Sequence, residues 1–154
     1  MLTTHKISAE LYFESFELLA FHTTLEDYAM AYALNKQLKL RLQRTKKDIN
    51  LVEASSFSLF EWIDELNDNH WMLFKNKSDK QIDGSLGGLF ENDRTIYTDY
   101  LVNERKEVDY FLKIETDDTN MAEQTTKMAN KIPEVITAYT IDVETLQSRK
   151  NLII

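Results

Sequence analysis

The 154-residue sequence contains no cysteine, which excludes a disulfide framework and any thiolate metal site. It has one proline and three glycines, too few for a low-complexity chain. It also has no uninterrupted apolar run of the roughly 20 residues that a spanning helix needs. His5, Lys6 and Glu10 stand where a signal peptide would need its apolar core. These absences predict a cytoplasmic protein that has no membrane-spanning segment.

What the sequence does contain is typical of a folded domain. Hydrophobic residues make up 43% of the chain and aromatic residues 11%, enough to fill a core. We therefore expect one domain over residues 1–154, with a loose N-terminal segment at 1–13. The formal net charge of -8 weighs against binding to nucleic acid or to an anionic membrane surface.

One segment departs from this acidity. Residues 36–47 contain six basic side chains and no acidic one. If the segment is a regular strand, alternate residues project from one face and form a basic strip. We take this strip as a candidate interaction surface for a protein partner, for self-association or, less favoured, for RNA. A solvated strand edge protected by lysine is the alternative. The residues of the candidate surface are Lys39, Arg41, Gln43, Arg44 and Lys47.

Strand and helix patterns alternate along the chain. The pattern predicts helices at 24–38 and 119–131, and strands at 16–22, 39–45, 57–63, 70–75, 96–102, 108–114 and 135–143. Thr24 and Asp27 have the spacing of a capping box, and Pro133 would end the second helix. Apolar residues on both faces of the last strand place it inside a sheet. The order predicts an α+β fold in which two helices pack on a single, mostly antiparallel sheet. We expect it to be ferredoxin-like with an enlarged central meander.

All three glycines lie at Gly84, Gly87 and Gly88, inside a polar segment of weak periodicity. We predict that residues 76–93 form a mobile loop or lid.

A short stretch carries a resemblance to a known family. Val102, Glu104, Val108, Asp109 and Tyr110 have the spacing of the signature of the IPExxxVDY family of Bacteroidetes proteins, and the chain resembles that family. Further similar segments are found at 33–36, 57–61, 137–142 and 150–152. Asn103 replaces the signature proline, which frees a backbone N–H. The resemblance implies a cytoplasmic bacterial protein, and it assigns no activity.

The sequence shows no nucleophile motif, phosphate loop or metal-ligand spacing. His5, His22 and His70 lack the partners that zinc or iron would need. Asp109 is interpreted as a functional acid or, in the commoner case, as a cap for a turn. We therefore predict no catalytic residue, no metal and no cofactor. An enzyme is the least favoured interpretation, since it rests only on carboxylates such as Asp64, Glu65 and Asp68.

Two functions remain. The favoured one is a non-enzymatic interaction or adaptor module that acts through a sheet face or edge. The alternative is a small-ligand sensor of ferredoxin-like type. In that alternative, the 76–93 segment closes over a candidate pocket of Trp62, Trp71 and Tyr110.

Overall fold

The structure is a computed structural model that describes residues 16–51, 55–82 and 95–153. Its strands are β1 Glu17–Thr23, β2 Gln43–Arg44, β3 Ile49–Asn50, β4 Ser56–Phe57, β5 Leu59–Asp64, β6 Asn69–Lys75, β7 Lys77–Ile82, β8 Thr95–Tyr100, β9 Tyr110–Glu115 and β10 Val135–Ile141. The α-helices are α1 Asp27–Leu38 and α2 Met121–Ala129. Short 3₁₀ helices cover Asn103–Arg105, Val143–Thr145 and Gln147–Leu152.

Six strands form one antiparallel sheet in the order β10-β1-β9-β6-β5-β2. Strands β3 and β4 pair separately, as do β7 and β8. Because β9 and β10 both run antiparallel to β1, they are parallel to each other, and α2 connects them in a split βαβ arrangement. The predicted α+β class, with helices packed on a mostly antiparallel sheet, is confirmed. The ferredoxin-like part of that prediction stays a prediction.

The sheet separates two hydrophobic cores, because successive side chains of a strand point to opposite faces. Leu19 and Phe21 of β1 belong to the helix-side core, whereas Leu18 and Ala20 belong to the far-side core. The helix-side core also contains Met30, Ala31, Leu34, Leu112 and Ala129 from β9 and the helices. The far-side core contains Phe57, Met72, Phe111, Val143 and Leu152. Apolar residues on both faces of β1 and β9 therefore mark the middle of the sheet.

The start of α1 differs from the predicted capping box. The helix begins after Glu26, and no side chain caps its N-terminus. The Thr23 hydroxyl instead accepts a hydrogen bond from the Leu25 N–H at 3.2 Å, which forms a local turn before the helix. Tyr28 and Tyr32 of this helix are 70% and 69% exposed.

Strand β10 lies at an edge of the sheet, so the predicted interior position is wrong. Its apolar residues are divided between the two cores, and this division gives the sequence the appearance of an interior strand. The Asn130 side chain covers part of the open edge. It donates to the Ala138 carbonyl at 2.9 Å and accepts from the Ala138 N–H at 2.8 Å, as a neighbouring strand would.

The predicted loop at 76–93 is wrong for residues 77–82, which form β7 and pair with β8. Their polar sequence has no apolar alternation, because β7 belongs to a separate two-stranded sheet. Residues 83–93 and the expected loose segment 1–13 lie outside the described residues.

The basic strip is not a regular strand, so the predicted straight line of side chains is wrong. Lys39 takes a left-handed conformation with φ of 59° at the end of α1. Strand pairing covers only Gln43 and Arg44. The reason is the side chain of Asn35, which donates to the Leu42 carbonyl and accepts from the Leu42 N–H. These two bonds hold the Leu42 backbone against α1, so its N–H and carbonyl are not available to a neighbouring strand.

Candidate functional site

The β5–β6 hairpin brings the two tryptophans together. Trp62 lies directly opposite Trp71 in the register, and both side chains pack on the helix side. The predicted antiparallel hairpin is confirmed, with a connection of four residues, because Asp64 and Asn69 pair as the last step of the ladder. Asp68 in that connection has a φ of 54°.

A groove opens beside this hairpin, and we call it the tryptophan groove. Its walls come from the end of α1, the β5–β6 turn, the loop after β9 and the first turns of α2. The cavity volume is about 710 Å³. Its lining combines apolar side chains with amides, hydroxyls, carboxylates and one ammonium. The apolar residues are Leu38, Leu40, Trp62, Trp71, Met121 and Met128. The polar residues are Gln37, Lys39, Asp64, Asn67, Asp68, Asn69, Thr116, Asp117, Asp118, Gln124 and Thr125.

Trp71 and Asp64 are buried polar side chains of the groove wall, and one of them has a donor without an acceptor among the described residues. Trp71 is 4% exposed, and its Nε1–H has no hydrogen-bond acceptor among the described residues. Asp64 is 7% exposed, and its Oδ2 accepts a hydrogen bond of 2.7 Å from the Asn67 amide. A buried donor without an acceptor is destabilising by about 1–3 kcal/mol, so such a group is a signal of function.

Two of the three residues of the candidate pocket predicted from the sequence lie together at this groove. Trp62 and Trp71 line the groove together, but Tyr110 does not line it. Tyr110 is buried, and its hydroxyl donates to the Leu25 carbonyl at 2.7 Å. Burial and the neighbouring carboxylates of Asp27, Glu26 and Asp109 raise the pKa of Tyr110 well above its usual value. Tyr110 therefore links β9 to Leu25, in the segment that precedes α1.

The expected lid has no described contact with the groove. Strand β7 follows β6 at its Lys75 end, whereas the groove lies at its Asn69 end. The rest of the lid segment, residues 83–93, lies outside the described residues.

The signature residues have structural contacts. Val102 and Val108 are buried in the far-side core. Asp109 accepts a hydrogen bond from the Thr23 N–H at 3.0 Å through its Oδ2, which fits its interpretation as a cap. Glu104 accepts hydrogen bonds from the Ser148 N–H and hydroxyl at 2.7 and 2.6 Å. Burial raises the pKa of Glu104, but these hydrogen bonds outweigh burial and hold it below the usual value.

Asn76 organises this stretch, and sequence reasoning missed it. Its amide donates to the carbonyls of Arg105 and Val108 at 2.8 and 3.0 Å and accepts from the Val102 N–H at 2.8 Å. Its backbone also bonds to Asp109 and Leu101. The side chain is fully buried. A single asparagine in a polar segment carries no sequence signal that would have revealed this role.

A charged cluster crosses the far side of the sheet. His70 contacts Glu61 at 2.5 Å and Glu115 at 3.2 Å, and Lys113 contacts Glu115 at 3.0 Å. Partial burial raises the pKa of Glu115, but Lys113 and His70 outweigh it and lower the pKa below its usual value. Sequence spacing did not predict a carboxylate partner for His70, because Glu61 and Glu115 come from the two neighbouring strands. Within the described ranges, no group of side chains is suited to hold a metal ion.

The structure does not bring the basic strip together as one surface. Lys39 lines the tryptophan groove, whereas Arg41 and Gln43 lie beside Glu61 on the open side of β5. Arg44 forms an ion pair with Asp48 and lies 5.7 Å from the centre of the Phe60 ring. Lys47 is exposed. Two basic side chains of the strip thus lie close to acidic ones, Arg41 to Glu61 and Arg44 to Asp48.

Comparisons with known proteins give no relative: no family model, no curated protein and no solved structure matches this chain. The resemblance to the IPExxxVDY family therefore stays a prediction. Among the described residues, neither helix combines the length and apolar character needed to cross a membrane.

Proposed function

We propose that this protein is a non-enzymatic regulatory module that binds a small organic molecule in the tryptophan groove. The observation that carries the proposal is the buried Trp71 N–H, which has no acceptor among the described residues and belongs to the wall of a cavity of about 710 Å³. The Nε1 atom itself is buried, so a ligand with an oxygen or nitrogen acceptor would satisfy this donor after the indole ring shifts toward the cavity.

The composition of the groove supports the same proposal. Small-molecule sites have volumes of roughly 300–1,000 Å³ and combine apolar walls with a few polar groups that orient the ligand. Here two tryptophans and two methionines form the apolar wall, and Gln37 and Gln124 offer amides. Four chain segments meet at the groove, so a bound ligand would fix their relative positions. That coupling is what a sensor needs.

The test uses the two tryptophans, the only ones in the sequence, since both line the groove. A small-molecule library is screened by tryptophan emission and by the melting temperature. We expect at least one compound to change the emission and to raise the melting temperature with increasing concentration.

The matched variants decide where a compound binds. Trp71→Phe removes the N–H, and we expect it to weaken binding about tenfold, or about 1.4 kcal/mol. Tyr139→Phe removes a polar hydrogen on the far side of the sheet and should leave affinity unchanged. A library without a single binder, or binders that ignore Trp71→Phe, would contradict the proposal.

Self-association is the second candidate, and one observation favours it. Tyr28 and Tyr32 are exposed one helical turn apart on α1, and tyrosine is enriched where proteins contact each other. The occupant we propose is a second copy of this chain. Sedimentation velocity over a concentration series should show a dimer that Tyr28→Ser with Tyr32→Ser abolishes. A monomer at every concentration would exclude this candidate.

A further inference from the structure

The charges around the tryptophan groove are unequal. Its lining has four carboxylates and one ammonium, that of Lys39. A second cavity of about 400 Å³ adjoins it and shares Asp64, Asp68 and Asp117. The lining of this second cavity also includes the carboxylates of Glu65 and Glu115 and the imidazole of His70. The end of the sheet that holds both cavities therefore has a negative potential, which would attract cations and repel anions.

Asp64 differs from the other carboxylates of this region. It is 7% exposed, and its hydrogen-bond donor is the neutral amide of Asn67. Within the described ranges, no lysine, arginine or histidine forms an ion pair with it. Glu115, by contrast, has both Lys113 and His70 as partners. A buried carboxylate without a cationic partner is costly, and a positively charged ligand would supply the missing partner.

The tryptophans add a second and independent preference for a cation. The face of an indole ring carries negative charge density, and it attracts ammonium groups more strongly than the rings of tyrosine or phenylalanine do. Trp62 and Trp71 stand side by side in the groove wall, across the hairpin from each other. Their apolar surface also suits the carbon skeleton of a ligand. The free N–H of Trp71 would bind an oxygen on the same molecule.

We infer that the tryptophan groove binds a small organic ammonium compound that carries an oxygen acceptor, with Asp64 as its counter-ion and the two indoles as its wall. This inference rests on the proposed function and names the ligand class of that site. An inorganic cation is a poorer fit, because the described residues offer no group of metal-ligating side chains and six of the lining residues are apolar.

The test compares two probes of the same shape. Choline carries a quaternary ammonium and a hydroxyl, and 3,3-dimethylbutan-1-ol is its neutral isostere. Each is titrated into the full chain while tryptophan emission is recorded. We expect choline to bind at least tenfold more tightly than the alcohol, and its affinity to fall as salt is added.

Matched substitutions then test whether the Asp64 carboxylate is the counter-ion of the bound ammonium. Asp64→Asn should weaken choline binding about tenfold and leave the weak binding of the alcohol unchanged. Glu144→Gln removes an exposed carboxylate on the other side of the molecule and should have no effect. If Asp64→Asn does not fold, as judged by circular dichroism, Asp118→Asn replaces it as the groove variant, with a smaller expected loss.

Two results would overturn the inference. One is equal affinity for choline and for its neutral isostere. The other is no binding of choline at millimolar concentration. The library screen separates the two proposals. A neutral or anionic compound that binds in the groove more tightly than choline would overturn the ligand class while the proposed function stands. A screen without a binder of any kind would overturn both.

Discussion

Asn76 shows how much one side chain contributes when it is buried and fully hydrogen-bonded. Its amide satisfies one N–H and two carbonyls of the 102–108 turn. That turn positions Asp109 and Tyr110, which in turn hold the ends of β1 and the chain before α1. The resemblance singled out the residues of the turn, but the residue that shapes the turn lies about thirty positions earlier.

Asn76→Ala should therefore destabilise the fold strongly. It removes the amide partner of the buried Val102 N–H and Val108 carbonyl, whereas the Arg105 carbonyl still accepts from the Val108 N–H. We expect the free energy of unfolding to fall by about 3 kcal/mol. Urea denaturation followed by tryptophan emission measures the change. Asn50→Ala serves as the control, since Asn50 is exposed, and its effect should stay within about 0.5 kcal/mol. A small effect of Asn76→Ala would show that water replaces the amide.

At the scale of elements, the turn at 102–108 explains why asparagine can stand where the signature has proline. Asn103 is the first residue of the 3₁₀ helix Asn103–Arg105, where a backbone N–H has no helical acceptor. Val102 before it is extended, with φ of -113° and ψ of 93°, as the residue before a proline must be. We therefore expect position 103 to accept asparagine or proline, because the turn does not depend on a hydrogen bond from the Asn103 N–H or side chain.

Asn103→Pro should accordingly stabilise the protein, by about 0.4–1 kcal/mol, because proline reduces the freedom of the unfolded chain. The melting temperature measured by circular dichroism should rise by a few degrees. Asn103→Ala removes the side chain alone and should leave the melting temperature nearly unchanged. Destabilisation by proline would mean that the Asn103 N–H has an acceptor that the fold needs.

The same scale shows which elements the sequence predicts. The strong periodicities of β1, α1, β6, β9 and α2 were enough to place these elements, because each buries a continuous apolar face. The basic strip and β7 were misassigned, since the Asn35 side chain and pairing in a separate sheet decide them. Trp62, Trp71 and Tyr110 were predicted to share a pocket by analogy with ferredoxin-like sensors, but Tyr110 is buried and bonds to the Leu25 carbonyl away from the groove. Sequence alone does not tell these cases apart.

For the whole molecule, the decisive feature is a sheet with a hydrophobic core on each face. Among the described residues, no α-helix covers the far-side core, and the short 3₁₀ segments at 143–145 and 147–152 pack on it. Leu152 is fully buried there. The Asn151 amide donates to the Leu101 carbonyl at 2.9 Å, which fastens the same segment to the turn after β8. Leu152 therefore anchors the last 3₁₀ segment to the far-side core.

Leu152→Ala should lower the free energy of unfolding by about 2–5 kcal/mol, because a cavity would remain where the far-side core is closed. Urea denaturation measures the shift of the midpoint. Ile153→Ala is the matched control, since Ile153 is 46% exposed and its truncation should cost far less. Equal losses for the two variants would mean that the final segment does not seal this core.

The hydrophobic core on each face of the sheet also affects which strand register is the most stable. In a sheet with one wet face, a slip of one residue turns apolar side chains into water, and this cost rejects the wrong alignment. In β1, however, Leu18, Leu19, Ala20 and Phe21 would remain covered after such a slip. Lys113 rejects it for β9, because a slipped β9 would turn the Lys113 ammonium, together with Glu115 of the same strand, to the side of the helix-side core. Uniqueness of the alignment thus depends on a few polar side chains, and a more apolar version of this protein would be free to fold into several alternatives.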